Sequence, residues 1–320
     1  EDGIRDHCVT GVQTCALPIL VYFRPIIVYF IHQVITRCKV YMYADDTVLL
    51  YHSKDIHDIR HHLEYDLGKA SSWFFSNKLH LNVSKCKWML FGTQRKVNRN
   101  THVTIHINGE PIQKTQTYKY LGLTMDSTLS WQTHLEAVAK KIRQRLGVLW
   151  RVRKYMDQQL ATQLYSALIL PLYDYCDVVY GNCNTSQLSN LQRLQNRAGK
   201  IILKVPFDTP TSEVHSKLNW FYVSERLFYH QCILVFKCLN GLAPEYLCNK
   251  FSHPSHQHNT RYSATNNLKT AKCKLHTGQR AFSYRGALAW NSLSVTTRQA
   301  QTLTAFKGCL IKEIMTKRAI

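Results

Sequence analysis

Two adjacent carboxylates are the residues of this sequence best suited to catalysis. Asp45 and Asp46 follow Tyr43-Ala44, and residues 39–43 and 47–51 on either side are rich in β-branched and aromatic side chains. This pattern predicts a β-hairpin with both acids at its turn. Carboxylate oxygens on a rigid turn suit Mg²⁺, and nucleotidyl transfer uses two such ions roughly 3.5–4 Å apart. The competing interpretation is a solvated acidic turn.

The two acids are not expected to contribute equally. Neighbouring residues of a strand face opposite sides of a sheet. We therefore expect Asp45 to be the direct metal ligand and Asp46 to be secondary.

The segments that must position these acids indicate an α/β fold. Apolar residues at helical spacing predict a helix from Asp55 to about Phe75. Residues 101–108 alternate as a half-buried strand, and Asn108-Gly109 is a turn signal. Residues 118–125 predict a further strand.

From Trp131 onward the pattern indicates helices. The first helix has a stripe made of Leu135, Val138, Ile142, Leu146 and Leu149. Four basic residues fall largely off that stripe, namely Lys140, Lys141, Arg143 and Arg145.

The charge balance points to a polyanionic partner. Lys and Arg number 41 against 20 Asp and Glu, a net charge of +21 spread over 320 residues. Such an excess favours nucleic acid first and an anionic membrane second. A ribosomal-type or merely basic globular protein is the alternative.

The cysteines argue against a secreted disulfide framework. They number 11, an odd count, and no CxxC pair occurs. Reduced thiols in the cytoplasm or the nucleus fit better. One group invites a zinc interpretation, made of Cys232, Cys238, Cys248, His253, His256 and His258. Its spacings do not match the usual fingers or knuckles, so buried thiols beside a His-rich loop are expected.

No membrane span or signal peptide is expected. The most apolar stretch, residues 20–35, is interrupted by Arg24, Pro25, His32 and Gln33. The N-terminal residues are acidic where a signal peptide is positively charged.

Four blocks, taken in order, resemble the C-terminal half of non-LTR (LINE-type) retrotransposon reverse transcriptases. Tyr43-Ala44-Asp45-Asp46 is similar to the catalytic hairpin of the palm, and residues 77–92 resemble the block after it. Residues 118–131 resemble the primer-grip strand entering the thumb, and residues 282–293 resemble a C-terminal segment of animal elements. The resemblance covers about residues 39–318.

This resemblance implies roles for individual residues. Tyr43 would place the primer terminus beside the metals. Lys85 would be the general acid that protonates pyrophosphate, with a phosphate-binding or solvated lysine as the alternative. Tyr120, Leu121 and Gly122 would form the primer grip, where Gly122 lets the backbone approach the strand. A plain bulge or turn is the alternative for Gly122.

The basic residues of the thumb would contact an RNA–DNA duplex. Residues 95–154 hold twelve basic and three acidic residues. The resemblance implies that Lys140, Lys141, Arg143 and Arg145 track duplex phosphates without reading bases. A charged, solvated helix face is the alternative.

The sequence departs from the family upstream of the hairpin. A working palm needs a third carboxylate on a neighbouring strand, yet the acids before Tyr43 are Glu1, Asp2 and Asp6 alone. They lie in a tail, residues 1–19, that resembles translated sequencing adapter; a genuine, unusual N-terminus is the alternative. Residues 25–34 resemble the end of a template-contacting block without its Gln-Gly portion. We therefore expect true upstream sequence to be missing and polymerase activity to be negligible.

The sequence thus predicts an α/β fold with a partial palm (residues 20–127), a helical thumb (128–205) and a helical C-terminal region (206–320). The predicted function is that of a fragment of an RNA-directed DNA polymerase. Its complete form would use Mg²⁺, replaceable by Mn²⁺, an RNA template, a DNA primer and deoxynucleoside triphosphates, in the cytoplasm or nucleus and without a membrane. A non-catalytic, basic nucleic-acid-binding remnant is the alternative, and an untranslated pseudogene is a third. A group II intron maturase is disfavoured by the animal-type C-terminal block.

Overall fold

The computed structural model of the chain divides into two compact units, residues 1–131 and 132–320. The described residues are 16–22, 28–44, 46–79, 81–100, 102–254, 266–273 and 276–318. The mixed α/β class expected from the sequence is confirmed. The finer division into palm, thumb and C-terminal region stays a prediction.

The first unit is built on a six-stranded sheet. Its strands are β1 (Ala16–Tyr22), β2 (Lys39–Tyr43), β3 (Asp46–His52), β4 (Lys87–Trp88), β5 (Ile105–Ile107) and β6 (Glu110–Lys114). Their order across the sheet is β2-β3-β1-β4-β6-β5. Pairs are antiparallel except for β4 with β6.

Helix α1 (Ile56–Ser76) supplies much of the core of this unit. Its start is fixed by Asp55, whose side chain accepts the N–H of His57 at 3.0 Å. Ile59, Leu63 and Phe74 are buried in one apolar cluster with strand residues such as Trp88. The helix predicted from Asp55 to about Phe75 is therefore confirmed. A short helix, α2 (Gln94–Arg99), and two 3₁₀ turns, Val28–Gln33 and Val83–Lys85, complete the unit's helical part.

Two further strands form a separate small sheet. Strands β7 (Thr117–Tyr120) and β8 (Leu123–Asp126) pair antiparallel. The single strand predicted over residues 118–125 is therefore wrong. The backbone reverses direction at Leu121-Gly122, where φ is 45° and 81°. The Asn108-Gly109 turn between β5 and β6 is confirmed, with φ of 51° and 85°.

The described part of the second unit is helical. Its α-helices are α3 (Gln132–Val152), α4 (Gln158–Leu168), α5 (Leu170–Asp174), α6 (Asp177–Tyr180), α7 (Thr185–Leu203), α8 (Thr211–Leu218), α9 (Val223–Leu239), α10 (Glu245–Cys248), α11 (His276–Gln279), α12 (Phe282–Asn291), α13 (Val295–Arg298) and α14 (Leu303–Arg318). A 3₁₀ turn, Arg153–Tyr155, follows α3. All five residues of the predicted apolar stripe on α3 are buried. A second cluster joins α9, α12 and α14, where the rings of Phe236 and Trp290 stack on Phe306.

Within the residues that the structure describes, the helices are too short or too polar to pass through a bilayer.

Candidate active site

The β-hairpin predicted around residues 43–46 is present. Strands β2 and β3 pair from Lys39↔Leu50 to Tyr43↔Asp46, which leaves a loop of two residues, Ala44 and Asp45. Ala44 has a φ of 51°, the positive value that tight hairpin turns require at their first loop position. Asp46 is the first residue of β3, whereas both acids were expected at the turn. Asp45 lies outside the described residues, so its role as direct metal ligand stays a prediction.

A buried carboxylate on α1 holds the segment that leads into the hairpin. Asp66 is fully buried and accepts the backbone N–H groups of Thr36 (3.3 Å), Arg37 (2.9 Å) and Cys38 (2.7 Å). Burial, together with the charge of Asp66, raises the pKa of the Cys38 thiol, so this thiol is neutral. These contacts fix where β2 begins.

Sequence reasoning missed Asp66, although a signal for it exists. Asp66 falls between Leu63 and Leu67 on the apolar stripe of α1. An acid on a buried stripe needs hydrogen-bond donors. The pattern does not say which donors they are, because the partners lie about 30 residues away.

Asp46 lies between two neighbouring strands. It pairs with Tyr43 on β2 and with Tyr22 on β1. The Oδ1 atom of Asp46 is buried. The adjacent Thr47 is 1% exposed, and its Oγ1 atom is buried too. Thr47 Oγ1 has no hydrogen-bond partner in the described part of the chain. These two polar atoms at the base of the hairpin are therefore shielded from solvent.

The strand beside the hairpin carries no acid. Strand β1 runs antiparallel to β3 over its whole length, ending with Tyr22 opposite Asp46. A third carboxylate would be needed at this position, and the sequence of β1 is Ala-Leu-Pro-Ile-Leu-Val-Tyr. Two Mg²⁺ ions need several carboxylate ligands, and β1 supplies none of them. The predicted tail, residues 1–19, overlaps the start of β1; its remaining residues lie outside those described.

Lys85 lies at the same end of the sheet as the hairpin turn. It is exposed and closes the 3₁₀ turn before β4. Strand β4 pairs with β1 as Leu20↔Lys87, and extending that register by two residues brings Lys85 level with Tyr22. Since β1 separates β4 from β3, the two backbones are about 10 Å apart. Lys85 is thus near the hairpin but one strand removed from it.

The predicted primer grip is also a tight hairpin. Tyr120 and Leu123 pair, so Leu121 and Gly122 alone form the loop. Positive φ at both positions matches the type I′ turn, which suits the twist of paired strands. Tyr120 is buried, and Gly122 is exposed. The exposed backbone of Gly122 fits both the primer-grip role and the plain-turn alternative.

A single carboxylate organises the chain just after this hairpin. Asp126 accepts hydrogen bonds from the backbone N–H and hydroxyl of Thr128 and Ser130 and from the N–H of Trp131, at 2.6–3.1 Å. Burial alone would raise the pKa of Asp126, but these donors outweigh burial and hold its pKa below the usual value. These hydrogen bonds fix the backbone of residues 126–131.

Three of the four predicted basic contacts on α3 are open to solvent. Lys140, Lys141 and Arg143 are exposed. Arg145 is only half-buried, and its Nη1 donates to the carbonyl of Leu168, the last residue of α4. Arg145 therefore already has a structural partner within its own unit.

The described residues contain one group of carboxylates and imidazole arranged like a metal site, and it belongs to the second unit, whereas the hairpin belongs to the first. Ligand atoms of Asp174, Asp177 and His230 lie within 4.8 Å of one another in the second unit. Arg226 donates to both oxygens of Asp174 at 2.5 and 2.6 Å, and His230 contacts Asp177. A fixed guanidinium already balances the charge, so this group is an ion-pair network.

The cysteine and histidine group does not converge on a zinc site in the part described. Cys232 and Cys238 are buried in α9, and burial raises the pKa of the Cys232 thiol. The Cys248 thiol donates to the Ala243 carbonyl, and His253 Nδ1 lies 3.0 Å from the Asn267 carbonyl. His256 and His258 lie outside the described residues. The burial of Cys232 and Cys238 matches the expected buried thiols, and whether the group binds zinc stays a prediction.

The C-terminal block of the resemblance is a packing element. Phe282 and Trp290 of α12 are buried, and the Trp290 indole donates to the Asn266 carbonyl at 3.0 Å. A Cβ on Gly286 would come within 2.9 Å of both Phe251 and Val235. The residue types of this block are therefore explained by its packing in the core of the second unit.

Comparison with known proteins agrees with the hairpin geometry. Residues 8–125 match the family described as reverse transcriptase (RNA-dependent DNA polymerase). The match starts inside the suspected tail, whose origin stays a prediction. No solved structure matches the chain significantly.

Two similar proteins come from Drosophila melanogaster. The chain is 28% identical over 191 residues to the "Probable RNA-directed DNA polymerase from transposon BS", covering 59% of this chain and 21% of that protein. It is 26% identical over 180 residues to the RNA-directed DNA polymerase from mobile element jockey, covering 55% of this chain and 19% of that protein. The chain spans about a fifth of the length of these curated relatives. The chain thus has a region, residues 8–125, that matches the reverse transcriptase family, and it is similar to RNA-directed DNA polymerases of Drosophila mobile elements.

Proposed function

We propose that the chain is part of the RNA-directed DNA polymerase of a non-LTR retrotransposon and that, by itself, it does not polymerise. The observation that carries the first half is the two-residue hairpin that joins Tyr43 to Asp46 within a family-matched region. The observation that carries the second half is the acid-free strand β1 beside Asp46.

The residues of the first unit would act together in the complete protein. Asp45 and Asp46 would hold divalent metal, which supplies charge stabilisation for phosphoryl transfer. Tyr43, cross-strand from Asp46, would help to place the primer terminus. Lys85, at the same end of the sheet, would donate a proton to the leaving pyrophosphate.

Nucleic acid would be held by backbone and charge. The exposed Gly122 turn, flanked by Tyr120 and Leu121, would lie against the primer strand. Lys140, Lys141 and Arg143 would contact phosphates of an RNA–DNA duplex. Arg145 would contribute less than these three, because its guanidinium already binds the Leu168 carbonyl.

Primer extension tests the proposal of inactivity. With a primed RNA template, deoxynucleoside triphosphates and Mg²⁺, the purified chain should incorporate no more nucleotide than its Asp45→Ala variant. Incorporation by the unmodified chain that Asp45→Ala abolishes would overturn the inactivity.

A chimera tests the polymerase proposal itself. The upstream part of the jockey polymerase would be joined to residues 39–320 of this chain. We expect Mg²⁺-dependent extension that is lost on Asp45→Ala and reduced on Lys85→Ala. A folded chimera that binds primed template but never extends it would contradict the proposed roles. Recovering the genomic sequence upstream of codon 20 is an independent check, since an in-frame strand with an Asp and a Gln-Gly block would support the enzyme.

A non-catalytic nucleic-acid-binding remnant is the second candidate. It is favoured by the acid-free β1 and by the exposed basic residues of α3. Under this function the chimera stays inactive, while the chain binds an RNA–DNA duplex and loses affinity on combined Lys140→Gln, Lys141→Gln and Arg143→Gln substitution. A stop codon or unrelated sequence upstream would support the same outcome.

A further inference from the structure

A groove in the helical unit combines aromatic rings with basic side chains. One depression of about 570 Å³ lies between the end of α3 and the end of α7; its lining includes Trp150, Arg151, Lys154, Lys200, Lys204 and Phe207. A second depression, of about 440 Å³, shares Lys200 and Phe207 with the first and adds Arg193 and Arg197. We name the two together the aromatic–basic groove.

The rings of this groove are unusually open to solvent. Trp150 is 63% exposed and Phe207 is 64% exposed. Tyr155, 78% exposed, lies at the edge of the groove with the Lys154 ammonium 4.7 Å from its ring centre. Among the described residues of the second unit, Tyr175 is the one other aromatic side chain in the exposed class. Large rings left in water side by side indicate a surface that a ligand covers.

The charge of the groove is one-sided. Seven Lys or Arg residues line the two depressions, and no Asp or Glu is among the described residues that line them. The nearest acids along the chain are Asp157, whose carboxylate caps α4 through the Leu160 N–H, and the exposed Asp208. The groove therefore suits an anionic ligand that also offers flat apolar faces.

The walls of the groove are held in place by hydrogen bonds. Arg153 is buried and donates to the Ile202 carbonyl at 2.6 and 2.9 Å and to the Met156 carbonyl at 2.5 Å. Lys200 donates to the Phe207 carbonyl at 2.5 Å. These ties join the two walls and fix the loop that carries Phe207, so the groove exists before any ligand binds.

We propose that the aromatic–basic groove binds single-stranded nucleic acid. Bases would stack on Trp150 and Phe207, while phosphates would contact Lys154, Lys204 and Arg197. A duplex keeps its base faces stacked inside and offers only phosphates, whereas a single strand offers both base faces and charge. This inference rests on the second unit alone and does not require the polymerase proposal.

Fluorescence anisotropy on the full chain tests the groove. The probes are a labelled single strand of about 12 nucleotides, within the site sizes of single-strand binders, and a blunt duplex of the same sequence. Trp150→Ala and Phe207→Ala should each weaken single-strand binding by about tenfold and leave duplex binding almost unchanged. Trp150→Phe keeps a ring and should retain most of the affinity. Because Trp150 and Phe207 are largely exposed, these substitutions should leave the fold intact, and thermal unfolding checks this.

Matched controls separate stacking from general charge. Tyr175→Ala removes an exposed ring outside the groove and should leave affinity unchanged. Combined Lys154→Gln and Lys204→Gln should lower the magnitude of the slope of log affinity against log salt by about two. The control pair, Lys250→Gln with Lys312→Gln, removes two exposed charges and should lower this slope by less. Equal affinity of Trp150→Ala and Tyr175→Ala for the single strand would overturn the proposal. So would equal losses for single strand and duplex, or Trp150-dependent binding to anionic phospholipid vesicles without binding to the oligonucleotide.

Discussion

Ala44 and Leu121 are held at positive φ in the two hairpin turns to which the resemblance assigns function. Non-glycine residues avoid this region, and holding them there costs of order 1 kcal/mol or more. Both turns have two-residue loops between paired strands, so the strands impose the conformation. Such enforced turns cluster at functional sites, where they fix the direction of a neighbouring side chain.

Thr47 carries a buried hydroxyl at the base of the β2–β3 hairpin. Its Oγ1 has no hydrogen-bond partner among the described residues. Thr47→Val keeps the shape and removes the unpaired polar atom, so we expect the free energy of unfolding to rise by about 1 kcal/mol. Urea unfolding measures the change, and an unchanged or lower midpoint at constant slope would contradict it. The exposed Thr104→Val serves as the control and should have little effect.

His134 makes the stability of the second unit depend on pH. Burial, with a smaller effect of Lys141, lowers the pKa of His134 from 6.5 to about 4. The unfolded chain therefore binds a proton at His134 more readily than the folded chain does. The contribution of neutral His134 to the free energy of unfolding is complete above pH 6.5 and is lost as pH falls toward 4. The loss should total about 3 kcal/mol. His134→Gln should flatten the profile between these two pH values; parallel profiles for variant and parent would contradict the burial effect.

At the scale of elements, local sequence patterns predicted the helices and strands that form because neighbouring apolar residues are buried. The helix over Ile56–Ser76 buries one face, so its hydrophobic period predicts it. The hairpin over residues 39–52 was predicted from its β-branched and aromatic composition, because buried residues of β3 are consecutive and do not alternate. The stripe on α3 is the same case. The reversal at Leu121-Gly122 was missed because leucine seldom takes positive φ, and the pair lacks the Asn-Gly signal that marked residues 108–109.

Long-range parts of the candidate site could not be predicted in the same way. The pairing of β1 with β3, the anchoring of Thr36 to Cys38 by Asp66, and the tie from Arg145 to Leu168 all join segments more than 20 residues apart. The aromatic–basic groove likewise combines the ends of α3 and α7. Spacing along the chain carries no information about which distant segments meet.

Gly286 shows that a family-like motif can be a packing requirement. In α12 its missing Cβ makes room for Phe251 and Val235, each at 2.9 Å from the position that a Cβ would take. Gly286→Ala should lower the free energy of unfolding by about 1–3 kcal/mol through overpacking. Gly308 in α14 has nothing within 4 Å, so Gly308→Ala should raise it by up to about 1 kcal/mol.

Chemical denaturation of both variants checks this pair. The opposite signs are the diagnostic result, because helix propensity alone would stabilise both. A stabilised Gly286→Ala would mean that α12 does not pack this closely on Phe251 and Val235.

At the scale of the whole molecule, the two units have separate apolar cores and an electrostatic surface of one dominant sign. With 41 basic and 20 acidic residues, charge alone brings polyanions to the surface. It does not distinguish one polyanion from another. Under the two binding proposals above, selectivity would come from shape: the exposed basic face of α3 would suit a duplex, and the open rings of the aromatic–basic groove would suit a single strand.

The distribution of thiols over the molecule leads to a prediction about metal. Zinc needs thiolate ligands or neutral imidazoles that converge on one point. In the described part of the second unit, Cys232 is buried with a raised pKa, and Cys248 and His253 face different carbonyl groups. A zinc chelator should therefore leave the thermal midpoint unchanged, and Cys248→Ser or His253→Ala should cost less than about 1 kcal/mol. A large drop in midpoint on chelation, restored by added Zn²⁺, would show instead that metal binding stabilises the fold, since structural zinc contributes its binding energy directly to folding.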